Sequence, residues 1–323
     1  MCTAITFENK SFYFGRNLDL DFTYKESVTI TPQNYKFKYK YLPPVKTHYA
    51  IIGIATVVDN YPLYYDAANE KGLCIAGLNF VGNAVYNPFI QGKINLCQFE
   101  IIPYLLGKYK TVDEVIDEFK KINLTDTPFS ENFPVSQLHW LIADKTKAIT
   151  VEATSSGIEI FQNPFGVLTN NPPFKYHTEN IKNYLNLTSL KPENRFSDKL
   201  NLIPQSNGLG GFGLPGDLSS SSRFIRAVFT KFNSVKPNDE RESINQFFKI
   251  LESVFQQEGC VKIGDGFEKT QYSSCINTDK GVYYYKTYSN SQITGVNLYN
   301  TNFQGEELVS FPLETNVTVN MIN

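Results

Sequence analysis

The chain has 323 residues, 41% hydrophobic and 19% charged, enough apolar material for a sizeable core and too little charge for wholesale disorder. Its formal net charge is -2 with no long lysine or arginine run, which excludes a nucleic-acid surface built on a basic patch. The start, MCTAITFENK, lacks the basic stretch and apolar core of a signal peptide, and no apolar run reaches the ~18 residues of a membrane span.

In chain order, residues 3–7 and 12–14 read as short strands around the polar break 8–11. Residues 27–31 alternate as a strand, and 50–58 form an apolar strand. Residues 63–67 and 73–78 flank Asn69-Glu70-Lys71-Gly72, a hairpin turn. Helices follow at 99–106 and 111–122. In the second, Thr111 and Glu114 make a capping box, and Val112, Val115, Ile116, Phe119 and Ile122 make one stripe. Strands resume at 138–143, 148–153 and 158–162. Amphipathic helices are expected at 223–232 and 240–257, then strands at 282–288, 293–299 and 308–312. Blocks of strand separated by blocks of helix indicate α+β layers and no alternating βαβ unit. No repeat or linker divides the chain. Residues 201–222, rich in Gly, Ser, Pro and Asn, are the longest loop.

Within that loop, Gly208-Leu209-Gly210-Gly211-Phe212-Gly213 matches G-x-G-x-x-G, but neither flank supplies the strand and helix that a dinucleotide site needs. It reads as a tightly turned loop. Five cysteines, never spaced C-x-x-C, suit neither a disulfide framework nor a zinc site. Cys74, Cys97, Cys260 and Cys275 read as small buried hydrophobes, and a reducing, cytoplasmic setting follows. No metal or cofactor is expected. His48, His139 and His177 are widely separated and read as surface or hydrogen-bonded structural residues. A Cys–His pair formed only in space stays open.

Cys2 is different. Removal of Met1 would leave its thiol and a free α-amine, of ordinary pKa ~7.7–8, on one residue, so nucleophile and base need no histidine. Gly15-Arg16-Asn17-Leu18-Asp19 follows a strand that can pair with the Cys2 strand. Arg16 would favour the thiolate, and Asp19 could hold the amine; a surface ion pair in a turn is the alternative.

With these residues the chain resembles the choloylglycine hydrolase family, which includes bile salt hydrolases and penicillin V acylases. The resemblance continues through Asn69-Glu70-Lys71-Gly72-Leu73, Ala76-Gly77-Leu78-Asn79-Phe80, Leu168-Thr169-Asn170-Asn171-Pro172, Gly213-Leu214-Pro215-Gly216-Asp217 and Ser222-Arg223-Phe224-Ile225-Arg226. It implies a single N-terminal-nucleophile domain, residues 2–323, folded as an αββα sandwich of two antiparallel sheets between helical layers. It further implies Cys2 as nucleophile and base, Arg16 and Asp19 tuning it, Asn170 (rather than its neighbour Asn171) with Asn79 on the oxyanion, and Arg223 completing the network. The implied reaction is hydrolysis of glycine- or taurine-conjugated bile salts by a homotetramer. Penicillin V or another acyl amide is the alternative substrate, and a non-catalytic amphiphile-binding protein is the rival from another class. Asn79 leans toward bile salts, because penicillin V acylases commonly carry Tyr there. Leu18, Phe22, Tyr24, Tyr65 and Phe80 are the expected sterol contacts, with core packing as the other reading of each. The family often has Trp in the segment where this chain has Tyr104.

Overall fold

The structure is a computed structural model and describes residues 1–317 and 319–323. Strands β1 (Cys2–Glu8), β2 (Phe12–Leu20), β3 (Ser27–Thr31), β4 (Ile51–Val58), β5 (Tyr61–Asn69) and β6 (Cys74–Asn79) open the chain. The short β7 (Ile94–Cys97) leads through a 3₁₀ turn, Gln98–Glu100, into α1 (Ile101–Lys108), then α2 (Val112–Phe119) and β8 (Ile122–Thr125). Next come β9 (Leu138–Ala143), β10 (Ala148–Thr154), β11 (Gly157–Gln162), β12 (Val167–Leu168), α3 (Phe174–Asn180), α4 (Ser220–Asn233) and α5 (Glu240–Glu252). The chain closes with β13 (Val261–Ile263), β14 (Gly266–Asn277), β15 (Val282–Thr287), β16 (Thr294–Asn297) and β17 (Val309–Pro312).

One antiparallel sheet runs β12-β1-β2-β14-β15-β16, with β13 beside β14; the other runs β11-β10-β9-β6-β5-β4-β3-β17. Helices α4 and α5 cover the first, α1 covers the second, and β1 and β2 lie across β6. This is the αββα sandwich. The central strands of the second sheet are buried on both faces, so β4, β6 and β9 read as nearly continuous apolar runs. Ile52, Ile54, Cys74, Ala76, Leu78, Leu141 and Ala143 face the first sheet. Ile51, Ala55, Ile75, Trp140 and Ile142 face α1 and α2. Each large side chain in this alternation contributes ~1.5–3 kcal/mol by leaving water.

Local chemistry sets the turns. Asn69 Oδ1 accepts from the backbone N–H of Lys71 and Leu73 (3.0 and 3.1 Å), and Gly72 takes φ +90°, which a side chain would resist. The Thr111–Glu114 capping box is present at α2.

Several expectations need correction. Ile122 fits the stripe of α2 by spacing but begins β8, because α2 ends at Phe119 and the chain turns to pair in parallel with β7. Strand β2 extends to Leu20, so Gly15–Asp19 lies within a strand. Residues 220–222 belong to α4, whose N-cap is Ser219. Cys260 is exposed in the turn before β13, where no core reaches it. Of the two readings of the histidines, surface or hydrogen-bonded structural, the second holds: all three are buried, and each bonds a backbone carbonyl.

Candidate active site

Cys2 begins β1, an inner strand, with Leu18 of β2 directly opposite. That register places Arg16 and Asp19 beside the cysteine from the neighbouring strand. On the other side, β12 pairs with β1 through Ala4↔Leu168 and delivers Thr169 and Asn170 to the same end. Helix α4 supplies Arg223 from behind. Cys2 is 2% exposed, and Arg16, Asp19 and Arg223 are fully buried.

The backbone nitrogen of Cys2 donates to Asn170 Oδ1 (2.7 Å), which also accepts from Arg223 Nη2 (2.9 Å). Asn170 Nδ2 donates to the carbonyl of Asn79 (2.8 Å), and the Asn170 backbone nitrogen donates to Ser220 Oγ (2.8 Å). Arg223 Nη1 donates to the Cys2 carbonyl and to Thr3 Oγ1, and its Nε donates to Leu218 O (3.0 Å). Thus one arginine on a capped helix holds the cysteine's backbone and the asparagine that receives its N–H. The helix start is tied down by Asp217, which accepts from Ser219 N and Ser222 Oγ, and by Arg226, which donates to Pro215 O and Asp217 O. The 213–217 and 222–226 motifs are therefore the mounting of Arg223.

Arg16 Nη1 donates to Tyr65 O (3.0 Å) and Gly77 O, while Nη2 has no partner among the described residues. Burial pulls its pKa down, but Cys2, Tyr272, Asp66 and Asp19 outweigh that, and the guanidinium is held above its ordinary value. Asp19 accepts from Thr270 Oγ1 (2.6 Å) and Gln256 Nε2 (3.1 Å). Its carboxylate does not hold the Cys2 nitrogen, which goes to Asn170. Burial raises the pKa of Asp19, against the opposing pull of Arg223, the N-terminal ammonium, Thr270 and Arg16. Met1 precedes this arrangement with its ammonium donating to Asp19 O (2.7 Å) and paired with buried Glu268. Its carbonyl accepts from Asp19 N (2.9 Å), and burial lowers the pKa of the amine.

Behind Arg16 lies a carboxylate that sequence reasoning missed. Asp66 of β5 crosses between the sheets and accepts from Tyr272, Tyr283 and Ser274 Oγ (2.9 Å), and Ser274 Oγ in turn accepts from Arg16 N (3.0 Å). Burial raises its pKa as well. Its one visible signal was an acidic residue inside an apolar strand.

A cavity of about 380 Å³ opens on Cys2 and Arg16. Leu18, Phe22, Tyr24, Tyr65 and Asn79 line it as the sequence predicts; Gln98, Phe99, Ile102, Phe129, Phe133, Leu138 and Trp140 were not foreseen as lining residues. Phe22 and Tyr24 meet edge to face at the mouth (4.6 Å between centroids). Phe80 is not part of the cavity. It follows Asn79 at the end of β6, so alternation turns it to the opposite face, where it stacks on His139 at 4.4 Å. Tyr104 also points elsewhere, its hydroxyl on Glu118 (2.6 Å), so the Trp-to-Tyr departure leaves this cavity unchanged. Asn170 and Arg223 lie behind the cavity wall. His139 sits between Glu152 and Thr169 O, and His177 donates to Asn170 O (3.1 Å). His177 is pushed down to about 4, chiefly by burial, so it is neutral and supports Asn170 without exchanging protons at neutral pH.

Two antiparallel sheets between helices, with a cysteine at the head of an inner strand facing an apolar cavity, define the N-terminal-nucleophile fold of amide hydrolases. Residues 2–311 match the model of linear amide C–N hydrolases, choloylglycine hydrolase family, and the chain belongs to that family. It is 51% identical over 324 residues to a bile salt hydrolase/transferase of Lactiplantibacillus plantarum, covering 100% of both chains. It superposes on a variant of the conjugated bile acid hydrolase from Clostridium perfringens with TM-score 0.92 at 36% identity, again over 100% of both. A penicillin V acylase from Agrobacterium tumefaciens gives TM-score 0.77 at 18% identity, over 98% of this chain and 92% of that one, a likeness of fold.

Proposed function

We propose that this enzyme hydrolyses the amide bond of glycine- or taurine-conjugated bile salts. The observation that carries the reading is a buried cysteine, held at its backbone by Asn170 and Arg223, facing an apolar cavity lined by Leu18, Phe22, Tyr24 and Tyr65. The names of the similar proteins support the same substrate class.

With Met1 removed, the α-amine of Cys2 takes the thiol proton as sulfur attacks the amide carbonyl. Asn79, on the cavity wall, steadies the oxyanion, a contribution of ~2.7–4 kcal/mol for such a donor, and Asn170 acts from behind by holding the Asn79 carbonyl. The ammonium then protonates the departing amine, leaving a thioester. Water, deprotonated by the same amine, releases the free bile acid. Arg16, buried with one uncommitted nitrogen, supports the thiolate, and Asp19 fixes the geometry around it. The mature domain is residues 2–323.

A homotetramer is supported by Leu185, Leu190, Phe196, Ile203 and Phe212, which stand 72–85% exposed in one long connection. A cytoplasmic home is supported by five unpaired cysteines. Among the described residues no helix is long and apolar enough to cross a membrane.

The test couples intact mass with turnover. Loss of Met1 and release of glycine or taurine are expected, with Cys2→Ala folded and inactive. Dominant penicillin V turnover would overturn the substrate assignment, and an active Cys2→Ala variant would overturn the nucleophile. Retained Met1 with bile-acid binding and no turnover would favour an amphiphile-binding protein.

A further inference from the structure

Two histidines hold the segment that carries Asn170. His177 Nε2 donates to Asn170 O (3.1 Å), and His139 Nε2 donates to Thr169 O (2.9 Å). Strand β12 has only two residues, Val167 and Leu168, so these consecutive carbonyls lie just beyond its pairing with β1. A buried carbonyl that leaves a sheet takes its donor from elsewhere, because buried polar groups are nearly always bonded. Here imidazole rings supply it.

His139 has a partner of its own. On β9 it adjoins Trp140, which pairs with Val151 of β10, and that register brings Glu152 beside its ring. Nδ1 lies 3.0 Å from Glu152 Oε1, with the two side chains 0% and 1% exposed. Phe80 stacks on the ring at 4.4 Å, with 6° between the planes. Glu152 Oε1 also accepts from Phe174 N (2.9 Å), which ties the carboxyl group to the start of α3. A carbonyl oxygen only accepts, so His139 Nε2 carries a proton. Nδ1 then donates to the carboxylate or accepts from its acid form. In both arrangements one proton lies between ring and carboxyl group, and the Nε2–H stays on Thr169 O. A carboxyl group beside a histidine fixes the ring's tautomer and orientation in this way. A buried pair of this kind seldom adds net stability over apolar residues of the same volume. What it contributes is a donor that cannot turn away.

From that donor the path to the nucleophile is short. Thr169 Oγ1 accepts from Ser220 Oγ (2.9 Å), Asn170 N donates to the same Ser220 Oγ (2.8 Å), and Asn170 Oδ1 accepts from Cys2 N (2.7 Å). We propose that His139, oriented by Glu152, is a positioning residue for catalysis: by holding the Thr169 carbonyl it sets where Asn170 meets the nitrogen of Cys2. It touches neither the substrate nor the reacting sulfur. The assignment deepens the proposed amidase reading and rests on Cys2 as its nucleophile.

Two substitutions separate position from packing. The amide nitrogen of glutamine stands about where Nε2 stands in histidine, and that of asparagine about where Nδ1 stands. His139→Gln therefore keeps the donor to Thr169 O, whereas His139→Asn keeps only the contact with Glu152. Kinetics on a glycine-conjugated bile salt should show kcat lowered roughly 10- to 100-fold in His139→Asn with KM within about twofold, as for a small misplacement of reacting groups. His139→Gln should restore most of that kcat although both variants lose melting temperature. Equal kcat in the two variants, or a change confined to KM, would overturn the assignment. Should neither variant fold, ring-nitrogen NMR of the wild type labelled with ¹⁵N-histidine decides. The chain has 3 histidines, and His48→Gln and His177→Gln each delete one set of signals, leaving that of His139. Its Nε2 is expected to be protonated; a bare Nε2 would overturn the proposal. An active Cys2→Ala enzyme would instead overturn the nucleophile, and this assignment with it.

Discussion

At the scale of residues, the ground around Cys2 is a balance of buried charges, with few simple pairs. Arg16 and Arg223 are solvated by backbone carbonyls and asparagine, with no carboxylate at ion-pair distance among the described residues. That suits a reacting thiol, because polar groups already bonded need little reorganisation when charge develops. His177 gives this network a measurable acid limit. Its folded pKa of about 4 lies below the ordinary 6.5. The unfolded chain therefore binds more protons between those values, and stability present above pH 6.5 is lost as pH falls toward 4. The loss amounts to about 3 kcal/mol. Asp19 and Asp66, with raised pKa values, act in the opposite sense. Urea unfolding of wild type and His177→Gln across this range should isolate the histidine: the variant is expected to lose about 3 kcal/mol less on acidification. Parallel curves would assign the acid sensitivity elsewhere.

At the scale of elements, the site depends on how closely β2 and β14 approach. A side chain at Gly15 would sit 2.0 Å from the carbonyl oxygen of Ser274. Gly15→Ala should therefore part the two strands, stretch the Arg16 N to Ser274 contact, and cost about 2–3 kcal/mol or more. A denaturant melt together with the Cys2 alkylation rate would check it; an unperturbed rate would show that Arg16 tolerates the shift. The same pair explains what was legible beforehand. Strands β4, β6 and β9 were readable because apolar residues fill their faces, and β3 because Val28 and Ile30 alternate with Ser27, Thr29 and Thr31. Strand β14 was not read, because Glu268, Thr270, Ser273, Ser274 and Asn277 are buried polar residues, serving the site instead of the core. Hydrophobic periodicity is blind to such a strand. Among the candidate site residues, Arg16 and Asp19 were visible through local register with Cys2. Asn170 and Arg223 entered through family resemblance alone, since strand β12 and helix α4 meet Cys2 only in space. Phe80 was misplaced by one step of alternation.

At the scale of the molecule, the connection between α3 and α4 is the unbalanced surface. Five large apolar side chains held in water there are costly unless covered. On the tetramer proposal, replacing Phe196 and Phe212 by Asp is expected to lower the sedimenting mass toward smaller species while leaving the monomer fold intact. An unchanged mass would move the interface elsewhere. A last consequence comes from β1, which lies between a near neighbour, β2, and a distant one, β12, and is then clamped by Arg223. During synthesis the first strand emerges early, but its second flank and its clamp follow only when some two hundred more residues have been made. At ribosomal rates that interval is roughly 10–45 s. Throughout it the chain's beginning stays accessible to a processing peptidase, and the thiol has no assembled site in which to react. Once β12 and α4 close over it, the ammonium of any retained Met1 is tied to Asp19 O and Glu268, half-buried at the head of β1. On the proposed reading, excision of Met1 is therefore expected on the nascent chain, and a burst of overproduction that outruns the peptidase should raise the fraction of folded, Met1-bearing, inactive molecules.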